Sequence, residues 1–291
     1  NILKLEFAIF QMKNPPWLLA FVHIEKAAGT TLIHILRHNY FMRYLDVRPY
    51  SAKSGKLFTA RDLRISRRML PGLRCIAGHA VRPIADLESS GIEIKYITLF
   101  RRPIDRYLSQ YKYWTDRIGN KISFEQFLSH EPAWNFQTKK ISGCEDVELA
   151  KRLLSEKFFL VGTVERFGEF LFLLERKMKP MPFDVSHSQK NLAKRDSRVH
   201  ELHTKYCDEI AARNTLDNEL YNYVETSLLP RFENEYGKDY QHDYRQFESG
   251  LVMTDDTLLR RRVDYIFRKC YVEPVGGLIR IINGLPAAGS Y

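Results

Sequence analysis

The sequence predicts an α/β fold in which a mostly parallel central sheet is flanked by helices. Apolar runs at Leu18–Ile24, Leu73–Ala77, Ile94–Phe100 and Phe158–Val161 alternate with stretches of helical period, the pattern of parallel strands joined by crossover helices. Two of these runs feed directly into a cationic turn and then a helix. At 291 residues and 44% hydrophobic composition, the chain can bury a large core in one domain, alone or with a small appendage. Ligands in such sheets sit beyond the carboxyl ends of the strands, so the residues that follow each run are the ones to read for chemistry.

The first run passes through His23, Ile24 and Glu25 into Lys26, Ala27, Ala28, Gly29, Thr30 and Thr31 before a helical pattern begins at Leu32. This order describes an anion cradle. A strand delivers the chain to a turn of small residues, Gly29 allows close backbone approach, and the helix start offers unpaired N–H groups and a positive dipole end. Lys26 adds a full charge. A Walker A loop places its lysine after the glycines, whereas here the lysine comes first, so an ATP-type P-loop is a poor match.

The second run ends in Gly78-His79. The third runs into Arg101, with Pro103 suited to the first turn of a helix. In that helix Ile104, Leu108 and Tyr111 share one face and are expected to pack on the sheet, while Arg106, Ser109 and Tyr113 share another. Arg101 at the strand tip and Ser109 two turns along can then grip one ligand, the planar guanidinium fork suiting a phosphate. After the fourth run, Lys179–Asp196 has no clean period and reads as a loop. Ala211–Phe232 is helical, packing Leu216, Leu220 and Val224. Residues 246–291 end in a Gly/Pro/Ala-rich stretch.

His23–Leu32 and Phe100–Ser109 together resemble the two nucleotide motifs of the carbohydrate-type sulfotransferases that use 3′-phosphoadenylyl sulfate, a family that includes the heparan sulfate 2-O-sulfotransferases. The first is similar to the 5′-phosphosulfate loop H-x-x-K-T-A-G-T-[ST]-L, and the second to the 3′-phosphate motif [IL]-R-[DN]-P-x-x-R-x-x-S. Further along, Asn135–Gly143 resembles the N-x-Q-T-x-x-L-x-G segment, Val161–Phe167 the V-G-x-x-E-R-F segment, and Asn214–Tyr221 the N-x-x-D-x-x-L-Y helix. The likeness covers about Ala20–Glu235. It implies a three-layer, P-loop-like sulfotransferase fold over residues 1–245 and leaves 246–291 unexplained, a C-terminal extension that reads from its own composition as a docking or oligomer arm.

The resemblance also implies roles. Lys26, Ala27, Ala28, Gly29, Thr30 and Thr31 would hold the 5′-phosphosulfate end of 3′-phosphoadenylyl sulfate, and Arg101 with Ser109 the 3′-phosphate. Ser188 and Lys190, with Arg195, lie in a loop similar to one that closes over the nucleotide. The family carries a Gly-His after its second strand whose histidine is the catalytic base, which carries that role to His79; imidazole suits it, with an ordinary pKa near ~6.5. Lys26 would act catalytically by stabilising charge on the departing phosphate, and no metal is expected. The acceptor would be a hydroxyl of a glycan or other carbohydrate. The chain departs from the pattern at Glu25, where the family has proline, at Ala27, where it has threonine, and at Arg102, where it has aspartate or asparagine. If Glu25 points inward it weakens an anion site, and if Glu25 and Arg102 spoil the cofactor site the alternative is a catalytically inactive anion- or glycan-binding protein on the same fold. A nucleotide kinase is a third, disfavoured by the lysine order.

The formal net charge of +10, with basic clusters at Arg61, Arg64, Arg67, Arg68 and at Arg260, Arg261, Arg262, suits either a solvated face or attraction of an anionic partner. No zinc-finger spacing or RNP-like sequence appears, so nucleic acid is not the expected partner. Cys75, Cys144, Cys207 and Cys270 are too far apart for a metal knuckle, although their even number leaves a bridge open. His34 and His38, or His200 and His203, have close spacing but no third ligand is evident. Leu3–Met12 is interrupted by Lys4 and Glu6 and does not read as a membrane span. Two settings stay open: cytoplasmic if the enzyme is of bacterial type, Golgi lumenal if an upstream anchor has been removed.

Overall fold

The computed structural model describes residues 17–52, 55–185, 197–250 and 258–287. Its centre is a five-stranded sheet of β1 (Trp17–Val22), β2 (Tyr44–Asp46), β3 (Cys75–Gly78), β4 (Glu93–Phe100) and β5 (Phe158–Thr163). The spatial order is β2-β3-β1-β4-β5 and every pairing is parallel. β1 is buried from Leu18 to Val22 and β4 from Tyr96 to Phe100, without the alternation of a half-solvated sheet. Continuous burial of this kind requires cover on both faces, and helices supply it. Four strands fall where the apolar runs place them. The fifth, β2, has three residues and was not anticipated; Tyr44 and Leu45 are buried along the edge of β3.

The helices of this part of the chain are α1 (Gly29–Tyr40), α2 (Ala60–Met69), α3 (Pro103–Lys112), α4 (Phe124–Leu128), α5 (Phe136–Ser142), α6 (Val147–Lys157) and α7 (Phe167–Met178); of these α1, α6 and α7 lie against the sheet, and α5 packs on α6. A second group of helices follows: α8 (Ser197–Arg213), α9 (Thr215–Tyr223), α10 (Leu229–Tyr236) and α11 (Tyr240–Gly250). Leu220, Val224 and Phe232 are buried here, as the helical pattern requires, while Leu216 is only partly so.

One packing expectation is corrected. Leu108 and Tyr111 of α3 do not pack on the sheet but join Tyr107, Phe124, Phe127 and Ile210 in a separate apolar cluster between α3, α4 and α8. Their shared face is as the spacing requires; what covers it is α4 and α8. Arg106 is likewise not on an open face with Ser109 and Tyr113. It is fully buried, donates from Nη2 to the Ala133 carbonyl at 3.1 Å and lies 4.7 Å from the Phe136 ring centre, which makes it a strut between α3 and α5.

The C-terminal segment docks back onto the β2 side of the sheet: Arg268 Nη1 lies 3.2 Å from Asp46 Oδ2, the Tyr271 hydroxyl donates to the Met69 carbonyl at 2.8 Å, and Arg280 donates to Pro49 O. Position 245 lies inside α11, which runs on to Gly250. No helix among the described residues is long and apolar enough to cross a membrane. All four cysteines are free.

Candidate functional site

Chain order sets the site. From β1 the chain moves to β2 and β3 on one side, then to β4 and β5 on the other, so the connections diverge between β1 and β4. A crevice opens beyond the carboxyl ends of strands at such a switch point. Val22 at the end of β1 is level with both Gly78 of β3 and Thr98 of β4. The next residues of the three central strands therefore emerge side by side: His23 to Lys26 from β1, His79 from β3 and Arg101 from β4.

The turn after β1 has the shape of an anion-binding nest. Lys26 and Ala28 both adopt left-handed backbone angles, with φ of 70° and 54°, and flank Ala27. Left-handed residues in this alternation turn successive N–H groups to one side. Without glycine at either position, the conformation costs about 1–2 kcal/mol per residue. Among the described residues, no acceptor engages the amides of Ala28, Gly29 or Thr30, whereas Ala27 N–H donates to Ile24 O at 3.3 Å and Thr31 N–H to Ala28 O at 3.1 Å. These amides stand at the amino end of a helix of 12 residues. The Ala27 side chain points into the main core, 1% exposed, so only its backbone belongs to the cradle.

Gly29 also has a packing role beneath His23. A Cβ there would lie 1.9 Å from Nε2 and 2.1 Å from Cδ2 of His23. The lack of a side chain at Gly29 makes room for the imidazole. His23 in turn stacks on His79, ring centres 4.3 Å apart and planes 24° apart. Burial, and then the neighbouring His79, bring the His23 imidazole down to about 3, so it is neutral at physiological pH.

Glu25 faces His79, and its charge is compensated. Its Oε1 lies 2.9 Å from His79 Nδ1 and accepts from Lys140 Nζ at 3.1 Å. Lys140 is 2% exposed, and its ammonium also donates to the His79 carbonyl at 3.1 Å. Burial opposes ionisation of Glu25, but the close approach of His79 and the charge of Lys140 outweigh it and hold the carboxyl well below the usual range. Burial brings Lys140 down to about 8 against the pull of Glu25.

Lys26 and Arg101 meet across the switch point. Arg101 Nη1 donates to the Lys26 carbonyl at 3.2 Å, and Lys26 Nζ sits 4.5 Å from the centre of the Tyr113 ring. Burial, and to a lesser degree the neighbouring Arg101 and Arg117, lower the Lys26 pKa. Ser109 lies on α3 one turn before Tyr113 and is partly exposed. Arg102 is 59% exposed and lies 3.6 Å from Asp105, outside the crevice.

The other motif segments build the frame. Asp217 accepts from the Gln137 and Thr138 amides at 3.0 and 2.7 Å and so caps α5, while Asn135 Oδ1 accepts from Leu216 N–H at 3.1 Å and caps α9. Two helix starts thus exchange caps. Gln137 holds the strand tip by bonding both the N–H and the carbonyl of Arg101, at 3.0 and 2.8 Å. Glu165 accepts from Arg102 N–H at 3.0 Å and from the Tyr221 hydroxyl at 3.1 Å.

Ser188, Lys190 and Arg195 lie outside the described residues, as do the side chains of Arg260 and Arg261 and the stretch Leu3–Met12. His38 Nε2 lies 3.2 Å from Asp184, and no group of three or more metal-ligating side chains occurs among the described residues. A cleft lined by Glu88, Glu93, Glu156 and Lys157 lies at the opposite, amino-terminal end of β4, and its acidic lining does not suit an anion. Sequence reading missed Lys140, Gln137 and Tyr113 as parts of the site; the first two fall within the Asn135–Gly143 segment, which was their only signal. No protein-family model matches the chain, and no curated protein is significantly similar to it.

Proposed function

We propose that this protein is a sulfotransferase, moving a sulfuryl group from 3′-phosphoadenylyl sulfate to a hydroxyl of a carbohydrate acceptor on a P-loop-like sulfotransferase fold. The observation that carries the reading is one contiguous arrangement at the switch point: open amides with Lys26, Arg101 bonded to the Lys26 carbonyl, and His79 on the adjoining strand end. The residues fit a doubly phosphorylated nucleotide. The amides of Ala28, Gly29 and Thr30 with Lys26 take the 5′ end, and Arg101 with Ser109 takes the 3′-phosphate.

The donor supplies an activated sulfur whose bond to the 5′-phosphate oxygen breaks as the bond to the acceptor oxygen forms. His79 removes the acceptor proton as that oxygen attacks. Lys26 and the cradle amides are fixed before reaction where charge gathers on the departing phosphate, a preorganised electrostatic contribution. The two departures that favour an inactive binder lose weight: Glu25 is neutralised by Lys140, and Arg102 points to solvent.

The test is a pair of assays. Adenosine 3′,5′-bisphosphate at 100 times its dissociation constant stabilises the fold by about 2.7 kcal/mol and raises Tm, while ATP does not. His79→Ala lowers sulfuryl transfer by about 10²–10⁴ while nucleotide affinity is kept. Stabilisation by ATP alone would favour the nucleotide-kinase reading, and undiminished transfer by His79→Ala would remove the base.

A further inference from the structure

We propose that Glu25 is a positioning residue for His79, and that Lys140 is the buried counter-charge that allows a carboxylate to stand at this place; the inference rests on the sulfuryl-transfer reading above. Three contacts carry it. Glu25 Oε1 meets Nδ1 of the imidazole at 2.9 Å. Lys140 Nζ, 115 residues away in sequence, reaches that same oxygen and the His79 carbonyl, each at 3.1 Å, so one ammonium ties down both the base and its partner. His23 closes one face of the ring at 4.3 Å, and is itself wedged over Gly29.

The chemistry follows from imidazole itself. A neutral ring carries its proton on one nitrogen and its lone pair on the other, and a carboxylate at Nδ1 selects the form with the proton there. Nε2 is then the basic atom. The His23 stack fixes the tilt of the ring, so both tautomer and orientation are set before an acceptor arrives. An uncompensated carboxylate beside an anion cradle would repel the nucleotide; the ammonium of Lys140 on the same oxygen removes that penalty. Neither charge is useful without the other, and each is costly alone.

Glu25→Gln keeps the size of the side chain and removes the charge. In protein labelled at histidine with ¹⁵N, the His79 nitrogens of the wild type should report protonated Nδ1 and bare Nε2, and the variant a mixture. Turnover should fall about tenfold or more, while the dissociation constant for adenosine 3′,5′-bisphosphate stays within about twofold. A collapse of the cradle would instead weaken nucleotide binding. Because Glu25→Gln leaves Lys140 buried and unpaired, it should also lower Tm, and Glu25→Gln with Lys140→Met should restore Tm but not turnover. Wild-type turnover in the double variant, or an unchanged His79 tautomer in Glu25→Gln, overturns the proposal. A wild type that binds no adenosine 3′,5′-bisphosphate and transfers nothing, yet whose His79 tautomer follows Glu25, removes the transfer reading and leaves the positioning of the imidazole in place.

Discussion

Substituting Gly29 by alanine separates two accounts of the cradle. If Gly29 exists for close ligand approach, alanine weakens nucleotide binding and leaves the apoprotein as stable or slightly more so, because alanine favours a helix over glycine by up to ~1 kcal/mol. The structure dictates another result. The new Cβ would lie 1.9 Å from His23 Nε2, well over an ångström inside van der Waals contact, so the ring must shift out of its stack on His79 to make room. Overpacking of this kind costs about 1–3 kcal/mol, and a clash so deep belongs at the upper end. After the helix gain, about 2 kcal/mol of destabilisation remains, which for a domain of this size corresponds to roughly 4–8 °C in Tm. Urea unfolding of the nucleotide-free protein measures it. His23→Ala removes the ring, so Gly29→Ala added to it should cost nothing further, a coupling that a double-mutant cycle reads directly. A Gly29→Ala protein as stable as wild type, or additive losses in the cycle, would refute the wedge.

Acid stability depends on the same histidine. His23 is held near 3 in the folded chain against an ordinary 6.5, so between those values the unfolded chain binds a proton that the folded one does not. Stability therefore falls as pH drops through that window, by at most ~1.4 kcal/mol per pH unit, and His23→Gln should flatten the urea midpoint between pH 6.5 and 4. Asp217→Asn keeps one acceptor oxygen but sets an N–H₂ against one of the Gln137 and Thr138 amides, and should cost roughly 3 kcal/mol in the same assay; a loss under ~1 kcal/mol would show that the exchanged caps are dispensable. Arg102→Ala should leave the affinity for adenosine 3′,5′-bisphosphate unchanged by titration calorimetry, because its guanidinium lies outside the crevice.

The sheet was legible because buried parallel strands are continuous apolar runs, and the four runs of four or more residues stand out against polar helices and turns. β2 was not, because Tyr44–Asp46 is too short for any period. Periodicity grouped Leu108 with Tyr111 correctly but carries no record of what lies opposite, and α4 and α8 proved to be the cover. The cradle could be placed from lysine, small residues and a helix start, yet its conformation could not: positive φ at Lys26 and Ala28 is a choice that glycine-based rules pass over. Glu25 could be flagged as a charge beside an anion site, while its neutralisation depends on Lys140, a contact made only once α5 folds back to the ends of β1 and β3. Likewise the Asn135 and Asn214 segments each look like a helix start, and nothing local states that each caps the other.

The central claim is that a single nucleotide is held at both ends, by Lys26 with the cradle amides and by Arg101 with Ser109. It is tested most directly by titrating wild type, Lys26→Ala and Arg101→Ala with adenosine 3′,5′-bisphosphate, adenosine 5′-phosphate and adenosine 3′-phosphate. Each substitution should weaken the bisphosphate by roughly 10- to 100-fold. The loss from Arg101→Ala should vanish with the ligand that lacks a 3′-phosphate, and the loss from Lys26→Ala with the ligand that lacks a 5′-phosphate. Losses that ignore which phosphate is present, or a wild type that binds none of the three, would contradict the account.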